Sequence, residues 1–101
     1  MTAKEAFEKL GYVQKLYKNE SNPYSDGIQY IKRDKDSEMD RVGMISTKYI
    51  EFYYLHKELL IYNKYEHRDG KTTNSDSGAL SLEEFNAVQK QIQELQWQTH
   101  S

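Results

Sequence analysis

Cysteine is absent from this chain, which excludes disulfides, a thiolate nucleophile and thiolate metal sites. No run of about 18 or more apolar residues occurs, so no transmembrane helix is expected. The opening stretch, Met1-Thr2-Ala3-Lys4-Glu5-Ala6-Phe7, lacks the apolar core of a secretory signal, and with the missing cysteines this fits a cytoplasmic protein. A basic excess is lacking too: the net charge is −2 and the isoelectric point is near 5.9. Nucleic-acid binders usually gain affinity by neutralising several phosphates, so this balance argues against that class. There is no glycine-rich phosphate loop, no G-x-S-x-G elbow and no P-C-x-x-C signature. The three histidines, His56, His67 and His100, do not form a ligand pair at helical spacing. No catalytic, cofactor-binding or metal-ligating residue is therefore assigned, and no cofactor is implied.

Apolar residues are scarce: 37% of the chain is hydrophobic and 30% is charged, which implies a thin core under an extensive surface. At 101 residues the chain is expected to be one domain spanning 1–101. A single sheet with helices on one face uses that apolar content economically. Charge is spread unevenly, with residues 1–33 at +2 and residues 72–101 at −3.

The organising stretch is Tyr49-Ile50-Glu51-Phe52-Tyr53-Tyr54-Leu55, followed after His56-Lys57-Glu58 by Leu59-Leu60-Ile61-Tyr62-Asn63-Lys64-Tyr65. Aromatic and branched residues pack well on a pleated surface, so these read as a central hairpin. Alternation places Ile50, Phe52 and Tyr54 on a buried face with Glu51 and Tyr53 opposite, and on the next strand Leu59, Ile61 and Tyr65 inward. Two further strands are expected at Tyr12–Lys18 and Ile28–Arg33. Ile28 and Tyr30 point inward in the second, whereas either face of the first can be buried.

Two helices frame the sheet. Thr2-Ala3-Lys4-Glu5 has capping-box spacing, Ala3, Ala6, Phe7 and Leu10 recur at helical spacing, and Gly11 suits a left-handed stop. Ser81-Leu82-Glu83-Glu84 is a second capping box with Leu80 and Phe85 as a hydrophobic staple. Leu82, Phe85, Val88, Ile92 and Leu95 then form an apolar stripe, with Glu83, Glu84, Lys90, Gln91 and Glu94 facing away. The expected fold is α+β: a four-stranded antiparallel sheet with a short N-terminal helix and a longer C-terminal helix packed on one face.

The remaining segments are polar. Asn19-Glu20-Ser21 matches a glycosylation triplet, a pattern common by chance. Asp34–Arg41 spaces its acids like a calcium loop, but Met39 and Ile45 stand where glycine and a bidentate acid are needed, so a solvated connection is expected. Residues 66–79 read as a mobile loop or a hairpin tip around Asp69-Gly70, and 98–101 as a frayed tail.

Tyrosine is the compositional oddity, with nine against three phenylalanines and one tryptophan. The alternation that buries Ile50 and Phe52 turns Tyr49, Tyr53 and Tyr62 outward, and Tyr12 could join them from the first strand. Such tyrosines supply rigid amphipathic area of the kind enriched at protein interfaces. Trp97 either covers an edge of the core or anchors an interface. Cross-strand aromatic pairs also stabilise a solvated face by about 0.2–1 kcal/mol without any partner. A third reading stacks single-stranded nucleic-acid bases on the tyrosines, with Lys15, Lys32, Arg33, Lys48 and Lys64 supplying charge.

The phrases Ala6-Phe7-Glu8-Lys9-Leu10-Gly11-Tyr12, Ile28-Gln29-Tyr30, Ile50-Glu51-Phe52 and Ser81–Phe85 through Lys90–Trp97 resemble small proteins, without assigned activities, encoded by phages and prophages of Gram-positive bacteria. The resemblance spans most of the chain but its motifs are structural, and Gln96 replaces the usual glycine before Trp97, which implies a helix that runs on further. It implies a cytoplasmic accessory protein of the host bacterial cell, and no catalytic residues come with it. The expected function is non-enzymatic binding of a protein partner, a host factor or a second copy, through an aromatic sheet face of Tyr12, Tyr49, Tyr53, Tyr62 and Trp97. The alternative is a single-stranded nucleic-acid-binding module.

Overall fold

A computed structural model of the protein describes residues 1–18, 21–22, 26–34, 44–67, 69–75 and 79–97. The elements in chain order are helix α1 (Ala3–Lys9), strands β1 (Val13–Tyr17), β2 (Gly27–Asp34), β3 (Met44–Tyr53), β4 (Glu58–His67) and β5 (Thr72–Ser75), and helix α2 (Leu82–Glu94). The strands form one antiparallel sheet in sequence order, β1 to β5. The α+β class and antiparallel sheet are as expected, but the strands number five rather than four. The extra strand comes from the polar 66–79 stretch: β4 continues to His67, whose amide donates to the Lys71 carbonyl at 2.8 Å, and Thr72–Ser75 returns beside it. Thr72-Thr73-Asn74-Ser75 has no apolar alternation, so backbone pairing defines this strand and side-chain pattern does not. Asn19 and Glu20 of the glycosylation triplet, residues 35–43 of the calcium-like stretch, and the 98–101 tail lie outside the described residues. Among the described residues, no helix is long and apolar enough to cross a membrane.

Both helices begin at the capping boxes that their sequences predict, Thr2 with Glu5 and Ser81 with Glu84. They also end alike. At α1 the Gly11 amide donates to Glu8 and the Tyr12 amide to Phe7, and at α2 the Gln96 amide donates to Gln93 and the Trp97 amide to Ile92. This is the Schellman pairing, closed each time by an aromatic residue just beyond the helix. Its left-handed position is filled at α1 by Gly11 (φ +94°) and at α2 by Gln96 (φ +58°). The helix therefore stops at Glu94 and does not run on, because docking Trp97 on Phe52, 6.0 Å between rings, outweighs the strain of a left-handed glutamine. Gln96→Gly is expected to raise stability by about 1 kcal/mol, read as a higher midpoint in thermal unfolding.

The helices lie antiparallel on one side of the sheet, cross-linked at both ends. Glu94 of α2 accepts from the Ala3 amide at 2.6 Å, and Glu84 at the other end of α2 accepts from the Tyr12 hydroxyl. Between them sits an aromatic core in which Phe7 stacks on Tyr30 (3.8 Å) and meets Tyr12 and Phe52 edge-on, with Ile28, Ile50, Ala87 and Val88 around it. The face that α2 buries is rotated from the apolar stripe. Ala87, Val88 and Gln91 are buried, whereas Leu82 is 71% exposed and Phe85 is also exposed. Gln91 is drawn in because the buried Tyr30 hydroxyl donates to its carbonyl oxygen. Glu84 is drawn in by Tyr12 and by Lys48, whose ammonium lies 3.1 Å away. Partial burial opposes the charge on Glu84, but the Ser81 amide, Tyr12 and Lys48 outweigh it and hold the carboxyl at about 2.

Tyr54 is the other departure. β3 ends at Tyr53, so Tyr54 and Leu55 enter the turn, and Tyr54 is exposed while its amide donates to the Asp26 carbonyl at 3.1 Å.

Candidate interaction face

Among the described residues, no helix lies on the opposite side of the sheet, and strand alternation decides what stands there. The register aligns Val13, Ile31, Tyr49 and Tyr62 in one row and Lys15, Gln29, Glu51 and Leu60 in the next. A third row holds Tyr17, Gly27, Tyr53 and Glu58. Glu51 lies at the middle of this open face, yet it is only 8% exposed. The surrounding tyrosines cover it.

Glu51 is held by neutral donors. The Gln29 amide nitrogen donates to one carboxylate oxygen at 2.5 Å and the Tyr53 hydroxyl to the other at 3.0 Å, and the charge of Glu51 also reaches the nearby Tyr62 phenol. Gln29 is fixed in turn by the Tyr17 hydroxyl, which donates to its carbonyl oxygen at 2.8 Å. Among the described residues no lysine or arginine pairs with Glu51. A buried carboxylate served only by neutral donors is tolerated because both of its oxygens accept a hydrogen bond. The chain of hydroxyl, amide and carboxylate fixes the rotamers of Tyr17, Gln29 and Tyr53. Beside it, the rings of Tyr49 and Tyr62 stack across β3 and β4 at 4.8 Å and 10° between planes.

This network sets the alkaline behaviour of the face. Burial first, then the hydrogen bond and charge of Glu51, push the Tyr53 phenol up to about 12; burial and Glu51 push Tyr62 higher still. A raised phenol pKa means that the fold favours the neutral form, so this contribution is complete below the ordinary value of about 10 and is lost as pH climbs through about 12. Glu51→Gln keeps an oxygen for the Gln29 amide but puts an NH₂ group where the Tyr53 hydroxyl donates, and it removes the charge. It is expected to cost about 1–3 kcal/mol and to bring tyrosine ionisation to lower pH, followed by the tyrosinate absorbance during alkaline titration.

The five residues expected at the interface do not form one surface. Tyr49, Tyr53 and Tyr62 share the open face as expected. Tyr12 is on the helix side and only 2% exposed, a correction that follows from the Gly11 turn: the chain leaves α1 with Tyr12 closing the Schellman motif over Phe7. Trp97 is half-buried, also on the helix side, against Phe52. Glu51, Gln29 and Tyr17 are the members that sequence reasoning missed. Alternation does put Glu51 between Tyr49 and Tyr53, but only the register places Gln29 opposite it.

The basic residues divide between the two sides. Lys15, Arg33 and Lys64 share the tyrosine face with Glu51, Glu58 and Glu66, an even balance of charge. Lys32 and Lys48 point the other way, Lys32 lying 5.7 Å over the Tyr12 ring. With Ser46, Asn63 and Glu84 these two lysines line a pocket of about 330 Å³, in which Glu84 already pairs with Lys48. The histidines within the described residues stand apart, His56 in the β3–β4 turn and His67 at the far end of β4. No protein-family model, curated protein or solved structure matches this chain.

Proposed function

We propose that this protein is a non-enzymatic binding module that engages another protein through the tyrosine-bearing open face of its sheet. The observation that carries the reading is the stacked Tyr49–Tyr62 pair, standing with Tyr53 over a buried Glu51 on the side opposite the two described helices. Locking these side chains beforehand lowers the entropy lost on binding, which is how a small aromatic patch gains affinity. Leu60, 44% exposed, and Val13 extend the patch with apolar surface. An even charge balance suits a protein surface better than a polyanion. The division of the lysines weakens the nucleic-acid alternative, since Lys32 and Lys48 cannot flank bases stacked on the open face. In the setting that the resemblance to phage-encoded proteins suggests, the partner is a cytoplasmic protein of the bacterial host. The test is affinity capture from a bacterial lysate with and without nuclease: a near-stoichiometric protein retained after nuclease is expected. Retention of nucleic acid, or of proteins only through it, would favour the alternative.

A further inference from the structure

The two edges of the sheet are unlike each other. β5 is four residues long and wholly polar, the sort of edge that does not invite another strand. β1 is the opposite. It is a five-residue edge of Val13-Gln14-Lys15-Leu16-Tyr17, without proline or glycine, and it carries exposed apolar side chains on both of its faces, Val13 at 67% on the open side and Leu16 at 65% on the helix side. Among the described residues only β2 pairs with it. An edge of this kind presents a row of backbone donors and acceptors that specify another strand.

We infer that the free edge of β1 pairs antiparallel with β1 of a second copy, about a two-fold axis normal to the sheet that sets Leu16 opposite its own counterpart. Symmetry argues for the second copy. Pairing β1 with β1 consumes both apolar edges and closes at two subunits, with the short polar β5 strands outermost, whereas β1 on β5 would propagate as an open filament. Side-chain chemistry selects the register. Centring on Lys15 would oppose two lysines, which is unfavourable; centring on Leu16 opposes two leucines and places each Lys15 against the partner copy's tyrosine at position 17. Within one chain Lys15 already lies 5.1 Å over the Tyr17 ring, so the contact extends an existing preference. The axis keeps helix side with helix side, and the two open faces become one ten-stranded surface. This inference stands independently of the binding role, because it rests on the edge and not on the face.

Short edges bury less than the roughly 1,200–2,000 Å² of a standard interface, so the dimer is weak and reversible. Sedimentation equilibrium of the native protein up to concentrations on the order of 100 µM is expected to show a monomer–dimer equilibrium. A monomer mass throughout would overturn the inference. Because the chain has no cysteine, single-cysteine variants report the register directly. Opposed residues of an antiparallel pair lie about 4.5–5.5 Å apart at Cα, within disulfide range, so Leu16→Cys should give oxidised dimer about tenfold faster than Val13→Cys. The two positions are equally exposed, so reactivity alone does not separate them. Equal rates would overturn the proposed pairing. Tyr49 and Tyr62 substitutions should leave the mass unchanged, which keeps a failure here distinct from a failure of the binding reading.

Discussion

Phe7→Ala is expected to destabilise the protein by about 3–5 kcal/mol, measured by urea unfolding, a large share of the 5–15 kcal/mol typical of a native domain. Phe7 is fully buried and central to the aromatic core, 3.8 Å from Tyr30 and in edge contact with Tyr12 and Phe52. The loss extends beyond a cavity because α1 is only seven residues long, too short to persist undocked. Phe7 is its main anchor. Without that ring the ties at both ends of the helix, Ala3 to Glu94 and Tyr12 to Glu84, lose the geometry that holds them. Partial exposure of the sheet's helix side should follow, seen as faster amide exchange along α1 than along β3.

Gly27→Ala comes next, with an expected cost of about 3 kcal/mol, at the upper end for overpacking. A Cβ added at Gly27 would fall 2.0 Å from the Phe52 carbonyl oxygen and 3.2 Å from the Tyr53 Cα. These are backbone atoms of β3 and cannot swing aside as a side chain would. Relief requires β2 and β3 to part at this end, where Gly27 sits between Tyr17 and Tyr53 in the ladder. Those two tyrosines are the outer members of the Glu51 network. The same variant should therefore bring tyrosine ionisation to lower pH, alongside a lower urea midpoint.

The parts of this fold that could be read from the sequence are those set by local rules. Both capping boxes, the left-handed Gly11, the central hairpin and the inward Ile28 and Tyr30 follow from spacing and alternation alone. What could not be read depends on partners distant in sequence. Gln91 is polar and was expected to face water, yet it is 4% exposed because Tyr30, sixty-one residues away, places a hydroxyl there. β5 has no pattern of its own and exists through its ladder with β4. Gln96 adopts a backbone conformation that favours glycine because Trp97 has a docking place on Phe52. The candidate face divides in the same way: alternation turned Tyr49, Tyr53 and Tyr62 outward, whereas the Tyr17–Gln29–Glu51 chain needed the register of three strands.

The proposed binding role of the open face is tested most directly by quantitative capture from a bacterial lysate with the native protein, a Tyr49→Ser/Tyr62→Ser double variant and a Lys32→Glu control on the helix side. Both variants change partly exposed side chains and should fold, the lost tyrosine pair costing about 0.2–1 kcal/mol. A nuclease-resistant protein partner is expected to be retained by the native chain and the Lys32 control and lost by the double variant. Equal retention by all three would contradict it.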